Sequence, residues 1–226
     1  MLHAVVISNA ILGLEHLFRS DDLVTYRFEE VTAGFDPDFG GADVLIVPNG
    51  CDHVAMLKIR DRVRAFLDAG KTLLCFDGWF TAWVPGNQWV HDNEKATKAI
   101  RYHVRADRYG LFDGVELDHL QFNHGISGWW ACGYIKAAAS ADVVLADTWE
   151  RPIIVFDEAT TNGLMILTAS GPLGDFSFEE GAADEENILS SLGDLPSEKA
   201  ENGLNTLYRN ILRLVHHRKE TPYATA

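Results

Sequence analysis

The first part of the chain alternates between two kinds of hydrophobic pattern. Short runs rich in apolar and β-branched residues, each bounded by polar or turn-forming residues, predict strands at 3–8, 23–31, 43–47 and 72–76. Apolar residues spaced by three and four predict helices at 11–19 and 52–70. Asp52 is the expected N-cap of the second helix, and Gly70 its expected end.

The rest of the chain has a less regular pattern. Residues 80–93 are aromatic and loop-like, 94–99 favour a short helix and 102–107 a strand, while 113–133 predict no regular structure. Three strands follow at 142–146, 152–156 and 164–169. The Asn162-Gly163 pair predicts a hairpin turn between the last two. A final amphipathic helix is predicted at 203–217.

Strand–helix alternation at the start predicts an α/β fold with right-handed crossovers. We expect a flavodoxin-like, doubly wound and mainly parallel sheet, with strand order 2-1-3-4 and helices on both faces. The late strands would extend it as a C-terminal β-hairpin. Residues 1–226 show no repeat or linker, so the chain is predicted to be a single domain.

Composition narrows the classes of partner and location. Hydrophobic residues make up 47% of the 226 residues, which is enough for a substantial core. No apolar run reaches the ~18 residues of a membrane span, and a formal net charge of -14 disfavours nucleic acids and anionic membranes. The three cysteines form no CxxC pair, so we expect a cytoplasmic location and no disulfide framework. The predicted partner is a small-molecule substrate, and assembly into a homo-oligomer is left open.

Acidic residues concentrate in one segment near the end of the chain. Residues 174–201 hold nine acids against a single lysine, Lys199. A solvated flexible loop is the expected interpretation, and a lid or cation-binding loop is the alternative.

Several motifs have counterparts in a known family. Residues 40–50 (GGADVLIVPNG) lead from a strand into a tight turn, and residues 69–76 lead from a helix into the next strand. They resemble the corresponding parts of the class I glutamine amidotransferase-like superfamily. The strand starting at Arg151-Pro152-Ile153, the Asn162-Gly163 turn and the closing helix are similar to its ThuA-like branch, which contains carbohydrate-linked proteins.

The resemblance does not extend to the family's catalytic triad. The family's glutaminase uses a cysteine at a strand-to-helix elbow, activated by a histidine that a carboxylate orients. Here Asp77 precedes the elbow glycine, and Cys75 lies two residues earlier, where a buried structural thiol is expected. The late turn at 170–175 (SGPLGD) lacks the histidine. We therefore predict no glutaminase activity; a glutaminase with Cys75 as a displaced nucleophile is the alternative.

Ligands of open α/β sheets bind beyond the carboxyl ends of the strands, near the point where strand order reverses. In this chain that crevice would be bounded by Asn9, by the turn at 49–53 and by Asp77-Gly78-Trp79. The turn contains Asn49, Gly50 and Cys51, and its N–H groups are predicted to bind an anion or an oxyanion. A tight turn without such a role is the alternative.

Two titratable residues of this crevice are candidates for catalysis. Asp77 would act as general base, nucleophile or metal ligand, or alternatively as the N-cap of a following helix. His53 lies beside the same crevice, and its alternative is an ordinary surface histidine.

Residues 123–130 (NHGISGWW) form the most unusual local sequence. His124 would carry protons near neutral pH, and Trp129 and Trp130 offer flat faces of the kind that stack on sugars. They would form an aromatic pocket together with Trp79, Trp83 and Trp89, or alternatively fill a second core. No cofactor is predicted. A divalent-metal site built from Asp77, His103, Asp118, His119 and His124 stays open, although the spacing matches no standard ligand motif.

These residues favour an enzyme over other classes of function. We expect a hydrolase or lyase that acts on a small polar substrate such as a sugar derivative, with Asp77 as base and His124 as proton carrier. The alternative is a non-catalytic ligand-binding or oligomer-assembly module of the same fold.

Overall fold

Ten strands form two sheets in the computed structural model, which describes residues 1–10, 13–92, 94–121, 129–171, 173 and 203–221. The strands of the main sheet are β1 (Leu2–Ser8), β2 (Val24–Glu30), β3 (Val44–Val47), β4 (Thr72–Cys75), β6 (Tyr102–Val104), β8 (Asp142–Asp147), β9 (Pro152–Asp157) and β10 (Leu164–Thr168). The smaller sheet pairs β5 (Gln88–His91) with β7 (Gly133–Lys136). The described α-helices are α1 (Leu14–Leu17), α2 (His53–Lys58), α3 (Arg60–Asp68), α4 (Leu117–Gln121) and α5 (Gly203–Glu220), and a single 3-10 turn at Thr97–Ala99 lies within the short helix predicted at 94–99.

The main sheet has the strand order β2-β1-β3-β4-β10-β9-β8-β6. The first five strands of that order run parallel, and the last three pairings are antiparallel. The predicted order 2-1-3-4 and the late hairpin of β9 and β10 are confirmed. So is the predicted α/β class, because most pairings in the main sheet are parallel and helices connect them.

The helix predicted at 52–70 is divided in two. Asp52 caps α2 as expected, since its carboxylate accepts hydrogen bonds from the N–H groups of Val54 and Ala55, both at 2.9 Å. Ile59 then leaves helical geometry (φ -101°, ψ 12°) while its side chain stays buried, and α3 begins at the next residue. Gly70 adopts φ 79° just after α3, which is the left-handed conformation expected of a C-terminal glycine.

Three elements were missed by the sequence patterns. The loop-like stretch 80–93 contains β5, and the stretch 113–133 contains α4 and the first residue of β7. β5 and β7 pair across a long separation in sequence, with Trp89 opposite Ile135 and both side chains buried. Such short strands are stabilised by a distant partner, so neither has a pattern strong enough to predict it alone.

The amphipathic helix α5 covers the β2 side of the sheet. Its apolar stripe is buried, and the ring of Tyr208 lies edge-on to Phe18 with 6.3 Å between centroids. Phe18 in turn packs on Tyr26 of β2 at 5.6 Å, and the hydroxyls of Tyr26 and Tyr208 are hydrogen-bonded to each other. These contacts attach the end of the chain to its beginning.

Two buried acidic residues of the main sheet, Asp147 and Asp157, connect it to the small sheet and its flanking loops. Arg151 donates to Asp92 at 2.7 Å and pairs with Asp147 at 2.6 Å, and all three side chains are largely buried. Asn87 donates to Asp157 at 2.8 Å and accepts from the N–H of Ala138 at 2.9 Å. Removing one partner of such a buried network leaves the other unsatisfied, so these bonds hold the 76–92 segment in a defined position.

Among the described helices, none has both the length and the apolar character that crossing a bilayer requires.

The turn between β9 and β10 packs tightly on the end of α3. A Cβ at Gly163 would lie 2.1 Å from the carbonyl oxygen of Lys71 and 2.7 Å from that of Leu67. The amide of Asn162 donates to the carbonyl of Asp68 at 2.9 Å. Gly163 is therefore required for close approach of two backbone segments.

We predict that Gly163→Ala destabilises the fold by about 3 kcal/mol, because neither backbone carbonyl can move without disturbing α3 or β4. Gly34→Ala is the matched control: a Cβ there meets nothing within 4 Å, so its free energy of unfolding should change by less than about 1 kcal/mol. Urea denaturation of both variants measures the difference. Equal stability of the two variants would contradict the close packing described here.

Candidate functional site

The candidate site lies at the carboxyl edge of the parallel strands. Strands β1, β3, β4 and β10 are neighbours and parallel, so the segments that follow them emerge at one edge. Val47 pairs with Cys75, and the N–H of Phe76 donates to the carbonyl of Val47 at 3.0 Å. The turn at Asn49-Gly50 and the carboxylate of Asp77 therefore leave the sheet side by side, as the strand order predicted.

The end of β10 adds a third segment to this edge. A Cβ at Gly171 would lie 3.0 Å from the Cβ of Phe76 and 3.1 Å from the Cβ of Asn49. The preceding residue, Ser170, is buried, and its hydroxyl oxygen has no hydrogen-bond partner among the described residues. The sequence patterns single out residues 170–175 only for the missing histidine and do not assign Ser170 to the site.

Asp77 is a half-buried carboxylate without a polar partner in the described part of the chain. Among the described residues, none donates a hydrogen bond to it or forms an ion pair with it. Burial raises its pKa from 3.8 to about 6, because the charged form loses hydration that nothing replaces. This carboxyl group therefore exchanges its proton close to neutral pH.

The predicted alternative role of Asp77 as an N-cap is wrong. The chain after Asp77 continues as bends and turns until β5, so no helix follows it. Gly78 takes the left-handed conformation at φ 83°, and the chain turns away from the sheet at this point. The strand-to-helix elbow expected from the family resemblance is replaced here by a strand-to-loop turn.

Cys51 and Cys75 are buried thiols. Cys75 is fully buried in β4, and its thiol donates to the carbonyl of Phe76 at 3.4 Å. Burial raises the pKa of Cys75 well above its usual range, and electrostatic interaction with the neighbouring Cys51 thiol and the Asp77 carboxylate adds to that effect. Burial and the charge of Asp52 raise the pKa of Cys51 to about 12. Both thiols are protonated at neutral pH, as expected of structural cysteines.

Cys132, which precedes β7, is the exposed cysteine and lies within electrostatic range of Asp77. Partial burial raises its pKa, and the negative charge of Asp77 raises it further. No local pattern indicates this proximity, because Cys132 reaches the edge only through the pairing of β7 with β5.

Three N–H groups of the turn after β3 and of the start of α2 already have acceptors. Gly50 is left-handed at φ 77°, and the N–H of Cys51 donates to the carbonyl of Pro48 at 3.3 Å. The N–H groups of Val54 and Ala55 are bound by the Asp52 side chain. These groups are therefore not directed at an anion, and α2 spans only six residues. The N–H groups of Asn49 and Gly50 are not among these three, so the choice between a tight turn and an anion site at these two residues stays a prediction.

His53 is a buried histidine and not the surface residue that was its predicted alternative. Its side chain is 8% exposed and stacks on Trp83 at 6.0 Å between ring centroids. The indole N–H of Trp83 donates to Nδ1 of His53 at 3.0 Å, which leaves the proton of the neutral ring on Nε2. Burial lowers its pKa to about 4, and Asp52 opposes that shift only in part. His53 is neutral at physiological pH and its Nδ1 is occupied by the Trp83 N–H, so only Nε2 is left for its predicted catalytic role, which stays a prediction.

The predicted aromatic platform is largely part of the core. Trp79 is 1% exposed and Trp129 2%, so neither offers a free ring face at the surface. Trp129 packs edge-on against Tyr102 at 5.6 Å, and Trp130 is half-buried. Their burial supports the alternative in which these aromatics serve packing, although they belong to the main core and do not form a second one.

His124 lies outside the described residues, so its predicted role is untested. Within the described part of the chain, no group of three or more His, Cys, Asp and Glu side chains is arranged to hold a metal. His103 instead approaches Glu150 at 3.2 Å and His119 approaches Glu116 at 2.9 Å. The acidic segment 174–201 also lies outside the described residues.

Comparisons with known proteins bear on the fold. No protein-family model matches the chain, and no curated protein sequence matches it. A solved structure of Cytoplasmic Protein STM3548 from Salmonella typhimurium has a TM-score of 0.58 at 11% identity, covering 95% of this chain and 98% of that one. A glutamine amidotransferase from Thermotoga maritima has a TM-score of 0.56 at 10% identity, covering 96% and 97%.

A protein from Thermoplasma acidophilum, described as one of the components of a GMP synthase, is similar to the same degree. Its TM-score is 0.55 at 12% identity, with 97% of this chain and 96% of that chain covered. At such low sequence identity these similarities show a shared fold and give no information about the activity of this chain. The chain has the fold of the class I glutamine amidotransferase-like proteins.

Proposed function

We propose that this protein is an acid–base enzyme, a hydrolase or lyase that acts on a small polar substrate such as a sugar derivative. Asp77 would be its general base. The observation that carries the proposal is a half-buried carboxylate, without a polar partner among the described residues, at the carboxyl edge of the sheet. Perturbed carboxylates of this kind concentrate at functional sites.

The environment of Asp77 lacks the usual structural reasons for burying an acid. Within the described parts of the chain it caps no helix and neutralises no neighbouring cation, and the charged form costs free energy where it stands. Asp157, in contrast, is also buried, but hydrogen bonds from Thr160 and Asn87 outweigh burial and lower its pKa. Asp77 has no such hydrogen bonds from the described residues to offset the cost of its burial, and this supports a catalytic role for it.

The proposed step is a proton transfer to the Asp77 carboxylate. With a pKa of about 6 the group is mostly ionised at pH 7, and its conjugate acid is weak enough to hold the proton during the step. The proton would come from a water molecule that attacks the substrate or from a substrate C–H or O–H group. Asn9, Asn49 and Gly78 are at the same edge and remain the proposed substrate contacts. His124 and Trp130 remain predictions from sequence.

We infer that the protein is not a glutaminase. The position of the family's nucleophile is occupied by Asp77, and Cys75 is fully buried with a raised pKa. The described part of the 170–175 turn brings no histidine to this edge. Membership of the ThuA-like branch, and the link to carbohydrates that it implies, rests on the sequence resemblance alone.

A non-catalytic module is the second candidate. The burial of Trp79, Trp129 and His53 favours it, because these residues serve packing and not ligand contact. Under this alternative Asp77 would be covered by a partner chain, and its replacement would change assembly and not turnover.

Replacing the carboxylate with its neutral isostere tests the catalytic role. We predict that Asp77→Asn lowers kcat by about 10²- to 10⁴-fold, the usual contribution of a general base. A panel of glycosides and oxidised glycosides supplies the substrates, and Asp22→Asn, which changes an exposed acid, is the matched control. Full activity in Asp77→Asn would remove the assignment. An unchanged turnover combined with altered oligomer size would favour the module.

The pH profile of the wild type tests the same role independently. A base must be ionised to act, so kcat/KM should rise with pH and level off above about pH 6, the pKa that burial imposes on Asp77. Below that value, activity should fall about tenfold for each pH unit. A profile that rises only near pH 4 would mean that Asp77 is not the titrating base.

The stability of Asp77→Asn separates function from folding. Because the folded state binds the proton of Asp77 more tightly than the unfolded state, ionisation of Asp77 should cost the wild type stability as pH rises from 4 to above 6. Asp77→Asn should lack that loss and exceed the wild type at pH 8 by about 1–2 kcal/mol after allowance for solvent screening. Urea denaturation at pH 4 and pH 8 measures this. A destabilised variant at pH 8 would show that Asp77 has a structural role.

A further inference from the structure

A second concave surface lies beside the Asp77 edge and is not part of it. This cleft has a volume of about 630 Å³, within the range of about 300–1,000 Å³ typical of small-molecule sites. Its floor is the segment 79–88, one wall is α3, and the other wall is the β5–β7 sheet. Asp77 does not line it.

Positively charged side chains line both walls of the cleft. Arg60 and Arg64 are one turn apart on α3, so they share a helix face. Across the cleft Lys136 lies opposite Gln88 in the β5–β7 pairing. The neighbours Trp89 and Ile135 are buried, whereas the side chains of Gln88 and Lys136 are exposed and line the cleft.

The charges of the cleft are only partly compensated. Arg64 binds both oxygens of Asp68 at 3.0 Å, and Arg60 is 3.7 Å from Asp61, a fully solvated acid that also lines the cleft. Lys136 has no ion pair or hydrogen bond with the described residues. Three cations and one acid therefore line this cleft in a chain whose formal net charge is -14.

An aromatic ring stands at the mouth of the cleft. Phe80 is 75% exposed, although its ring is held against Trp89 at 5.1 Å between centroids. Burying a phenyl ring stabilises a folded protein by about 1.5–3 kcal/mol, and the exposed ring of Phe80 supplies little of that stabilisation. A fixed and exposed ring beside a cationic wall presents a flat apolar surface next to an anion site.

We propose that this cleft binds a small phosphate-bearing molecule with a flat ring, such as a nucleotide or an aryl phosphate. The phosphate group would be held between Arg60 and Lys136, and the ring would pack on Phe80. Guanidinium and ammonium groups are the side chains that bind phosphate oxygens most strongly, and the aromatic contact would add selectivity for a ring. The inference is independent of the role of Asp77, because binding is measured directly and needs no turnover.

Calorimetric titration of the full chain tests the proposal with adenosine 5′-monophosphate and 4-nitrophenyl phosphate as probes. Both should bind with a Kd below about 1 mM, and adenosine and inorganic phosphate should each bind at least about tenfold more weakly. Binding should also weaken with added salt, since charge carries part of it. Absence of saturable binding for both ring phosphates up to about 10 mM would overturn the proposal. Inorganic phosphate binding as tightly as the two ring phosphates would overturn the ring contact.

Single substitutions in the cleft test whether the phosphate group binds there. Arg60→Gln and Lys136→Gln should each raise the Kd for adenosine 5′-monophosphate about tenfold, the usual effect of losing a charge-assisted hydrogen bond. Lys98→Gln is the matched control, because it removes the same charge from an exposed lysine outside the cleft. An equal effect of Lys98→Gln and Lys136→Gln would show a general charge effect and would overturn the site.

Phe80→Ala tests the ring contact separately. It should raise the Kd for adenosine 5′-monophosphate several-fold while leaving the Kd for inorganic phosphate unchanged. The side chains replaced in these four variants (Arg60, Phe80, Lys98 and Lys136) are exposed, so the melting temperature of each variant should match that of the wild type. An unchanged affinity of Phe80→Ala for both ring phosphates would remove the ring from the proposal.

Discussion

The candidate site exists because β4 pairs in parallel with both β3 and β10. The register aligns Val47 and Leu167 with Cys75, so three chain segments leave the sheet at the same height. Asn49, Asp77 and Gly171 follow these strands, and Gly171 has no side chain because Asn49 and Phe76 occupy that space. A shift of one residue in either pairing would turn the Asp77 side chain to the other face of the sheet.

The buried acids of this protein fall into two groups with different physical roles. Asp43 accepts from the N–H of His3 and from Lys71 and Lys219, and these partners overcome burial and lower its pKa. Asp157 is satisfied in a comparable way by Asn87 and Thr160. Such acids join distant parts of the chain. Asp77 has no compensating partner among the described residues, and burial alone sets its pKa.

The segment from Gly78 to Gln88 links the two candidate sites. It starts at the Asp77 turn, forms the floor of the cationic cleft and ends in β5. Its position is fixed by the hydrogen bond between Trp83 and His53 and by that between Asn87 and Asp157. His53 thus supports the position of this floor, because its ring accepts a hydrogen bond from Trp83 and stays uncharged near neutral pH.

Local patterning is enough to predict the class of fold and the order of the first strands, because apolar runs and helical spacing are direct consequences of burial. It also identifies Asp77, since a carboxylate directly after a buried strand is visible in a linear pattern. It could not assign His53 or Trp79 to the core, because their burial comes from the 78–88 segment folding over α2. The folded chain alone brings Cys132 near Asp77 and places Lys136 across from Arg60. These residues, far apart in the chain, are brought near one another by the pairing of β5 and β7, two short strands that are stable only when paired.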